Sequence, residues 1–119
     1  MPRSALAVLT VSLFAASADA HPILKSASPA VEVSSKASPT EIRLNFSESV
    51  IAKFSGLELK DQAGKTIATG APKTDSKDQK QLVVPLPAPL SAGRYTVNWH
   101  AVSEDTHRVK GEYWFAIDR

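Results

Sequence analysis

The chain has 119 residues, with 14 lysine and arginine residues against 12 aspartate and glutamate residues, and it contains no cysteine. This length allows one domain of ordinary size. The basic residues are scattered and form no run, which argues against nucleic acid as a partner. Without cysteine the chain has neither disulfide bonds nor thiolate chemistry.

The first twenty residues have the pattern of a secretory signal peptide. Arg3 gives a positively charged start, residues 5–15 are apolar or small, and small residues precede position 21. The apolar run is shorter than the roughly 20 residues that span a bilayer, so no stable membrane insertion is expected. We therefore expect residues 1–20 to be cleaved, leaving one exported, soluble domain over residues 21–119.

Apolar residues that alternate with polar ones predict a series of short β-strands in residues 21–119. In chain order, the alternating segments lie at residues 42–46, 57–59, 66–68, 82–86, 95–101 and 109–117. No segment has the 3.6-residue apolar period of a helix. About seven short strands separated by proline- and glycine-containing turns are typical of an antiparallel, immunoglobulin-like or Greek-key β-sandwich (barrel).

Three local features refine this prediction. The sequence Asp61-Gln62-Ala63-Gly64 predicts a hairpin turn. Pro85 indicates either an edge strand or the end of a strand, because proline donates no backbone hydrogen bond. The polar segment 70–80 is predicted to be a mobile loop.

Cleavage after residue 20 would make His21 the N-terminal residue of the mature protein. Its α-amine and its Nδ1 atom can then bind one metal ion in a six-membered chelate ring. A terminal amine ordinarily has a pKa of about 7.7–8.0 and an imidazole one of about 6.5, so a metal can displace both protons near neutral pH. Pro22 has no N–H that Cu(II) can displace, which confines the chelate to the amine and the ring. The alternative is a disordered terminus at which cleavage happens to expose a histidine.

A second candidate feature is Asp105-Thr106-His107, which lies between the last two predicted strands. In an extended backbone, residues i and i+2 project to the same side, so Asp105 and His107 can meet one ion. Together with His21 they offer nitrogen and oxygen donors that suit tetragonal Cu(II) and, less specifically, zinc. The alternative is a solvated loop in which Asp105 caps a turn.

The remaining polar candidates carry weaker signals. His100 alternates out of phase with Tyr95, Val97 and Trp99, so we expect it at the surface. Glu48 follows a predicted strand and either hydrogen-bonds a nearby site or is a surface carboxylate. Ser103 stands beside Asp105 and His107, but no Gly-x-Ser-x-Gly turn presents it as a nucleophile. We therefore expect no catalytic residues and no enzymatic activity.

Several segments resemble the periplasmic copper resistance protein C (CopC) family, and together they cover nearly all of the predicted mature chain. These segments are residues 21–30, 42–48, 54–56 and 93–107, and residues 78–86 most resemble the YobA branch of the family. The resemblance implies a Greek-key, immunoglobulin- or cupredoxin-like fold in the periplasm. It also implies one Cu(II) ion per chain, with His21, Asp105 and His107 as ligands and Glu48 supporting the site.

One departure from the family narrows the expected function. Some members hold Cu(I) in a methionine-rich loop, whereas residues 60–81 of this chain contain neither methionine nor histidine. Amine, imidazole and carboxylate donors favour Cu(II) over Cu(I). We therefore expect a monomeric Cu(II) carrier or buffer in copper homeostasis and resistance. The resemblance implies an inner-membrane copper transporter of the CopD type as its partner. Two alternatives stay open: a copper monooxygenase-like enzyme built on the histidine chelate, and a metal-free, immunoglobulin-like interaction domain.

Overall fold

The computed structural model describes residues 22–118, which fold into two β-sheets with a shared core. Apart from one turn of 3-10 helix at Ala52–Phe54, their regular structure is all strand. Within this range there is no apolar helix of the length needed to cross a bilayer. The strands are β1 (Leu24–Ser28), β2 (Ser34–Ser35), β3 (Glu41–Phe46), β4 (Gly56–Asp61), β5 (Thr66–Ile67), β6 (Lys73–Thr74), β7 (Gln81–Pro85), β8 (Gly93–Val102) and β9 (Arg108–Ile117).

The chain crosses repeatedly between a four-stranded and a five-stranded sheet. The first has the order β1-β3-β7-β6, and the second has the order β2-β9-β8-β4-β5. All paired strands are antiparallel except β2 and β9, which are parallel. This arrangement confirms the predicted all-β sandwich. The long β8–β9 pair, ten residues in each strand, forms the centre of the second sheet.

The core lies between the sheets and follows the predicted alternation. Ile42 and Leu44 of β3 are fully buried, and Val97 of β8 and Phe115 of β9 are fully buried from the opposite sheet. Aromatic rings join the layers, because the Phe46 ring meets the Trp99 ring edge-on at a centroid distance of 5.3 Å. The polar residues between the buried positions face outward, which accounts for the two-residue period of the sequence.

The predicted hairpin turn is confirmed. Asp61 Oδ1 accepts hydrogen bonds from the backbone N–H groups of Ala63 at 3.0 Å and Lys65 at 2.9 Å. Gly64 has a φ of +82°, a conformation that glycine adopts without steric cost. The turn therefore connects β4 to β5 as the composition of the segment predicted.

Two local predictions need refinement. Pro85 is the last residue of β7, which lies between β3 and β6, so the strand-end interpretation is correct and the edge interpretation is wrong. The segment 70–80 is not loop throughout, because it contains the two-residue strand β6. Its alternation is too short to be visible in the sequence.

Arg43 ties this segment to the outer face of the four-stranded sheet. Its Nη1 atom donates hydrogen bonds to Asp75 Oδ2 at 2.7 Å and Gln81 Oε1 at 2.6 Å, and its Nη2 atom lies 2.9 Å from Glu41 Oε2. The hydrogen bond from Arg43, followed by one from the Lys77 backbone, lowers the pKa of Asp75 below its usual value.

A carboxylate whose pKa is lowered by folding stabilises the fold above its unfolded pKa of about 3.9, and this contribution is lost as the pH falls through the folded value. Asp75→Asn is therefore expected to lower the melting temperature slightly at pH 7, and the difference should shrink below pH 4. Thermal unfolding at pH 7, 4 and 3 measures this. The exposed Asp118→Asn serves as the control, and a difference that stays constant with pH would contradict the interpretation.

Candidate metal centre

The segment joining β8 to β9 is a tight turn. The Ser103 N–H donates to the His107 carbonyl at 3.0 Å, and the Thr106 N–H donates to the Ser103 carbonyl at 2.9 Å. Thr106 has a φ of +71°, in the left-handed region that is rare for a β-branched residue. The expectation that Asp105 and His107 meet because the backbone is extended is therefore wrong. The turn itself brings them together.

Asp105 and His107 are in contact at the surface end of this turn. His107 Nδ1 lies 3.1 Å from Asp105 Oδ1, and both side chains are nearly half exposed. The same Oδ1 atom accepts a hydrogen bond from the hydroxyl of Ser103, a residue that is only 1% exposed. The hydrogen bond from Ser103, and after it the one from His107, lowers the pKa of Asp105. The carboxylate is thus held ionised and oriented, as a metal ligand must be.

The turn is fixed to the segment that follows β3. An isolated bridge pairs Val50 with Ser103, and the Ile51 N–H donates to the Val102 carbonyl at 2.8 Å. The buried hydroxyl of Ser55 accepts the Val102 N–H at 3.0 Å. These bonds hold the base of the turn, so the candidate ligands extend from a rigid support.

Glu48 and the start of the described chain lie near the same turn. Glu48 and Asp105 both line a cleft of about 400 Å³ at this end of the sandwich. Residue 47, next to Glu48, holds the N-terminal segment: the Ile23 N–H donates to Ser47 Oγ at 2.8 Å, and the Ser47 N–H donates to the Ile23 carbonyl at 2.9 Å. The Pro22 side chain is fully buried.

His21 lies outside the described residues, and so does the predicted signal peptide. Among residues 22–118, no three histidine, aspartate or glutamate side chains come together as a group able to hold a metal ion. The structure thus brings Asp105 and His107 into contact and puts Glu48 nearby. The Asp105–His107 pair alone supplies fewer donors than a complete metal site needs. The oxygen and nitrogen donors present fit Cu(II) and zinc better than Cu(I).

His100 is separate from this pair. It lies on β8 opposite Gly56 of β4 and Lys110 of β9, and its side chain is exposed on the outer face of the sheet. A Cβ atom at position 56 would come within 3.4 Å of the His100 ring and 3.2 Å of Pro72. The predicted surface position of His100 is therefore confirmed.

Ser103 is the site residue that sequence reasoning assigned to no role. Its only sequence signal is its position two residues before Asp105, and its burial becomes visible only once Val50 is paired with it. Ser103→Ala is expected to weaken copper binding about tenfold, the lower end of the range for residues that orient a ligand. Calorimetric titration measures this, with Ser91→Ala as the control, since Ser91 precedes β8 at the opposite end of that strand. Equal affinities of Ser103→Ala and the parent protein would show that the hydroxyl does not orient Asp105.

The sandwich and its polar turn define a class of protein: a Greek-key β domain with a candidate metal site at one end. The family model of the CopC domain matches residues 24–118, and the chain therefore belongs to the CopC domain family. Protein YobA of Escherichia coli strain K12 is 45% identical over 115 residues, covering 97% of this chain and 93% of that protein.

Solved structures show the same fold. CopC from Methylosinus trichosporium OB3b matches with a TM-score of 0.76 and 31% identity, covering 82% of this chain and 94% of that chain. PcoC from Escherichia coli, described as a methionine-rich copper resistance protein, matches with a TM-score of 0.73 and 38% identity. The match covers 82% of this chain and 99% of that chain. The predicted resemblance to the CopC family and to its YobA branch is confirmed.

Proposed function

We propose that this protein binds one Cu(II) ion in the periplasm and acts there as a copper carrier or buffer rather than as an enzyme. Four donor atoms from three residues hold the ion: the α-amine and Nδ1 of His21, a carboxylate oxygen of Asp105 and one imidazole nitrogen of His107. Glu48 supports the site from the adjoining cleft. The CopC family membership and the copper resistance function named for PcoC support this proposal.

The observation that carries the proposal is the contact between Asp105 and His107 beside the anchored start of the domain. The two hydrogen bonds between Ile23 and Ser47 hold the chain close to Glu48, which shares its cleft with Asp105. Consecutive Cα atoms are about 3.8 Å apart, so the Cα of residue 21 is within roughly 8 Å of that of Ile23. Chain connectivity therefore favours a position for an N-terminal histidine at the same end of the sandwich as the other two ligands.

His107 is assigned as a ligand because it lies against Asp105 at the exposed end of the turn. Its Nδ1 atom contacts the Asp105 carboxylate at 3.1 Å, which keeps the two side chains together. Because the two nitrogens of an imidazole point in divergent directions, one carboxylate cannot hydrogen-bond Nδ1 and share an ion with Nε2, so this contact is expected to open when copper binds. Oδ2 of Asp105 is the oxygen we assign to copper, because Oδ1 accepts the bond from Ser103.

The choice of Cu(II) over Cu(I) rests on the donor chemistry. PcoC is described as methionine-rich, whereas the single methionine of this chain is Met1, within the predicted signal peptide. The signal peptide directs export, and the mature domain then exchanges Cu(II) with an inner-membrane transporter of the CopD type. The nitrogen and oxygen ligands keep the copper as Cu(II) during this exchange.

The proposal is tested by titrating the exported, cleaved protein with Cu(II) and recording electron paramagnetic resonance spectra. We expect one ion per chain and a tetragonal spectrum with nitrogen hyperfine structure. His107→Ala should weaken binding at least about a hundredfold, above the effect of removing an orienting residue. His100→Ala is the matched control and should bind as the parent does. If both alanine variants bind equally, the assignment of His107 is wrong.

A further inference from the structure

The outer edge of β9 is only partly covered. On its inner side, β9 pairs with β8 along all ten residues. On its outer side, β2 pairs only with Ala116 and Ile117, and the Glu32 N–H adds one bond to the Trp114 carbonyl. The first part of the strand, residues 108–112, has no strand on its outer side among residues 22–118. We refer to this part as the open β9 edge.

The direction of the backbone groups on the open β9 edge follows from the hydrogen bonds made by the later residues of the chain. Trp114, Ala116 and Asp118 all bond outward, toward the segment at residues 32–35. Because backbone groups alternate in direction along a strand, Arg108, Lys110 and Glu112 must also present their N–H and C=O groups outward. None of these three residues makes an outward backbone hydrogen bond within the described chain.

This edge is accessible, and it begins immediately after the candidate copper ligand His107. The side chains of Arg108, Lys110 and Glu112 are all exposed. Beside them lies a cleft of about 340 Å³, whose lining includes His100 and Val102 as well as the two basic residues. An unpaired row of backbone donors and acceptors is a ready template for an added strand.

The charges on the edge indicate which strand fits. In an antiparallel pair, directly opposed side chains lie on the same face and interact, and like charges opposite each other are destabilising. A second copy of this chain, paired about Lys110, would match Arg108 with Glu112 at two positions but would oppose Lys110 with itself. A strand with acidic residues opposite Arg108 and Lys110, and a basic residue opposite Glu112, is complementary at all three positions.

We propose that the open β9 edge binds an extended segment of a partner protein by antiparallel strand addition, with acidic residues opposite Arg108 and Lys110. The backbone groups of residues 108–112 provide the affinity, and the side-chain charges select the sequence. A partner bound in this way would lie next to the Asp105–His107 turn. The interaction itself needs no copper, so it is testable independently of the proposed function.

The probe is the peptide acetyl-Thr-Lys-Val-Glu-Val-Glu-Thr-amide, titrated into the metal-free mature protein and followed by nuclear magnetic resonance. We expect shifts and slowed hydrogen exchange at the amides of Arg108, Lys110 and Glu112. Two N-methylated forms of the peptide, methylated at the odd or at the even positions, serve as matched ligands. Only the form whose domain-facing N–H groups are intact should bind, since methylation removes the donors.

Variants of the protein provide the second measurement. Lys110→Pro removes an outward N–H that the fold itself does not use, and it should weaken peptide binding about tenfold. Lys110→Gln keeps this N–H and should therefore lose less peptide affinity than Lys110→Pro. Lys110→Glu should reduce binding of the acidic peptide and favour one with lysine in place of its central glutamate. This charge exchange stays informative if the proline variant does not fold.

Three outcomes would overturn the proposal. Equal binding of both N-methylated peptides would show that side chains alone make the contact. Shifts confined to β1 or β6, the edge strands of the other sheet, would place the docking surface elsewhere. Concentration-dependent protection of the same β9 amides without peptide would show that the edge pairs with a second copy of this chain. Copper titration of the same samples distinguishes any of these results from a failure of the metal site.

Discussion

A protein with the dipeptide Ala-Pro added before His21 is expected to bind Cu(II) about a thousandfold more weakly than the mature form. The extension moves the charged amine away from the imidazole and opens the six-membered chelate ring, and its proline has no N–H next to the new amine that Cu(II) can displace. Removing a single residue that only orients a ligand typically costs ten- to a hundredfold in metal affinity, and the chelate supplies two of the four proposed donors. The folded domain is unaffected, because the extension lies before the buried Pro22.

The comparison is made by competition titration against a chelator of known affinity and by electron paramagnetic resonance. A protein with the same dipeptide added after Arg119 is the matched control and should bind as the mature form does. The extended form should retain only a weaker copper site made by Asp105 and His107. Unchanged affinity and spectrum in the extended form would show that the N-terminus is not a ligand, and the interaction-domain alternative would gain support.

The sandwich is predictable from sequence because burial imposes a two-residue period wherever a strand has one face in the core. Ile42, Leu44 and Phe46 illustrate this, since each is buried and each alternates with a polar neighbour. Strand β2, of only two serines, has no such pattern, and it forms through backbone bonds to β9. Short edge strands are therefore the part of the fold that hydrophobic periodicity cannot indicate.

The candidate site was predictable in its residue types but not in its geometry. Spacing alone singled out Asp105 and His107, yet their contact depends on the left-handed conformation of Thr106, which no local sequence rule requires. The role of Ser103 depends on its bridge to Val50, a residue more than fifty positions earlier in the chain. Long-range pairing of this kind leaves no signature in a single sequence.

The β8–β9 hairpin links the two proposals. Its turn carries Asp105 and His107, and the open β9 edge starts at the next residue, Arg108. A strand added to that edge would extend the five-stranded sheet beside the proposed copper ligands. Metal transfer between proteins requires the donor and acceptor sites to approach closely, and an added strand would fix their relative position. The rigidity of this hairpin therefore matters for both proposals.

Gly111→Ala is expected to destabilise the fold by about 2 kcal/mol, because the hairpin has no space for a methyl group at this position. A Cβ atom at residue 111 would lie 2.5 Å from Cζ2 and 2.7 Å from Cε2 of Trp99, its cross-strand neighbour. The indole is rigid and packs edge-on against Phe46, so it can move only by disturbing the core. The higher strand propensity of alanine offsets roughly 0.5–1 kcal/mol of the steric cost.

Urea and thermal unfolding of the metal-free protein measure this effect, and a loss of about 2 kcal/mol should lower the melting temperature by about 10 °C. The double variant with Trp99→Phe is the control, because the smaller ring makes space for the methyl group. Gly111→Ala should therefore cost less in the Trp99→Phe background than alone. Additive effects of the two substitutions would show that the Trp99 ring is not what requires glycine at position 111. Copper affinity should be unchanged in Gly111→Ala, since residue 111 lies within β9, beyond the turn that carries Asp105 and His107.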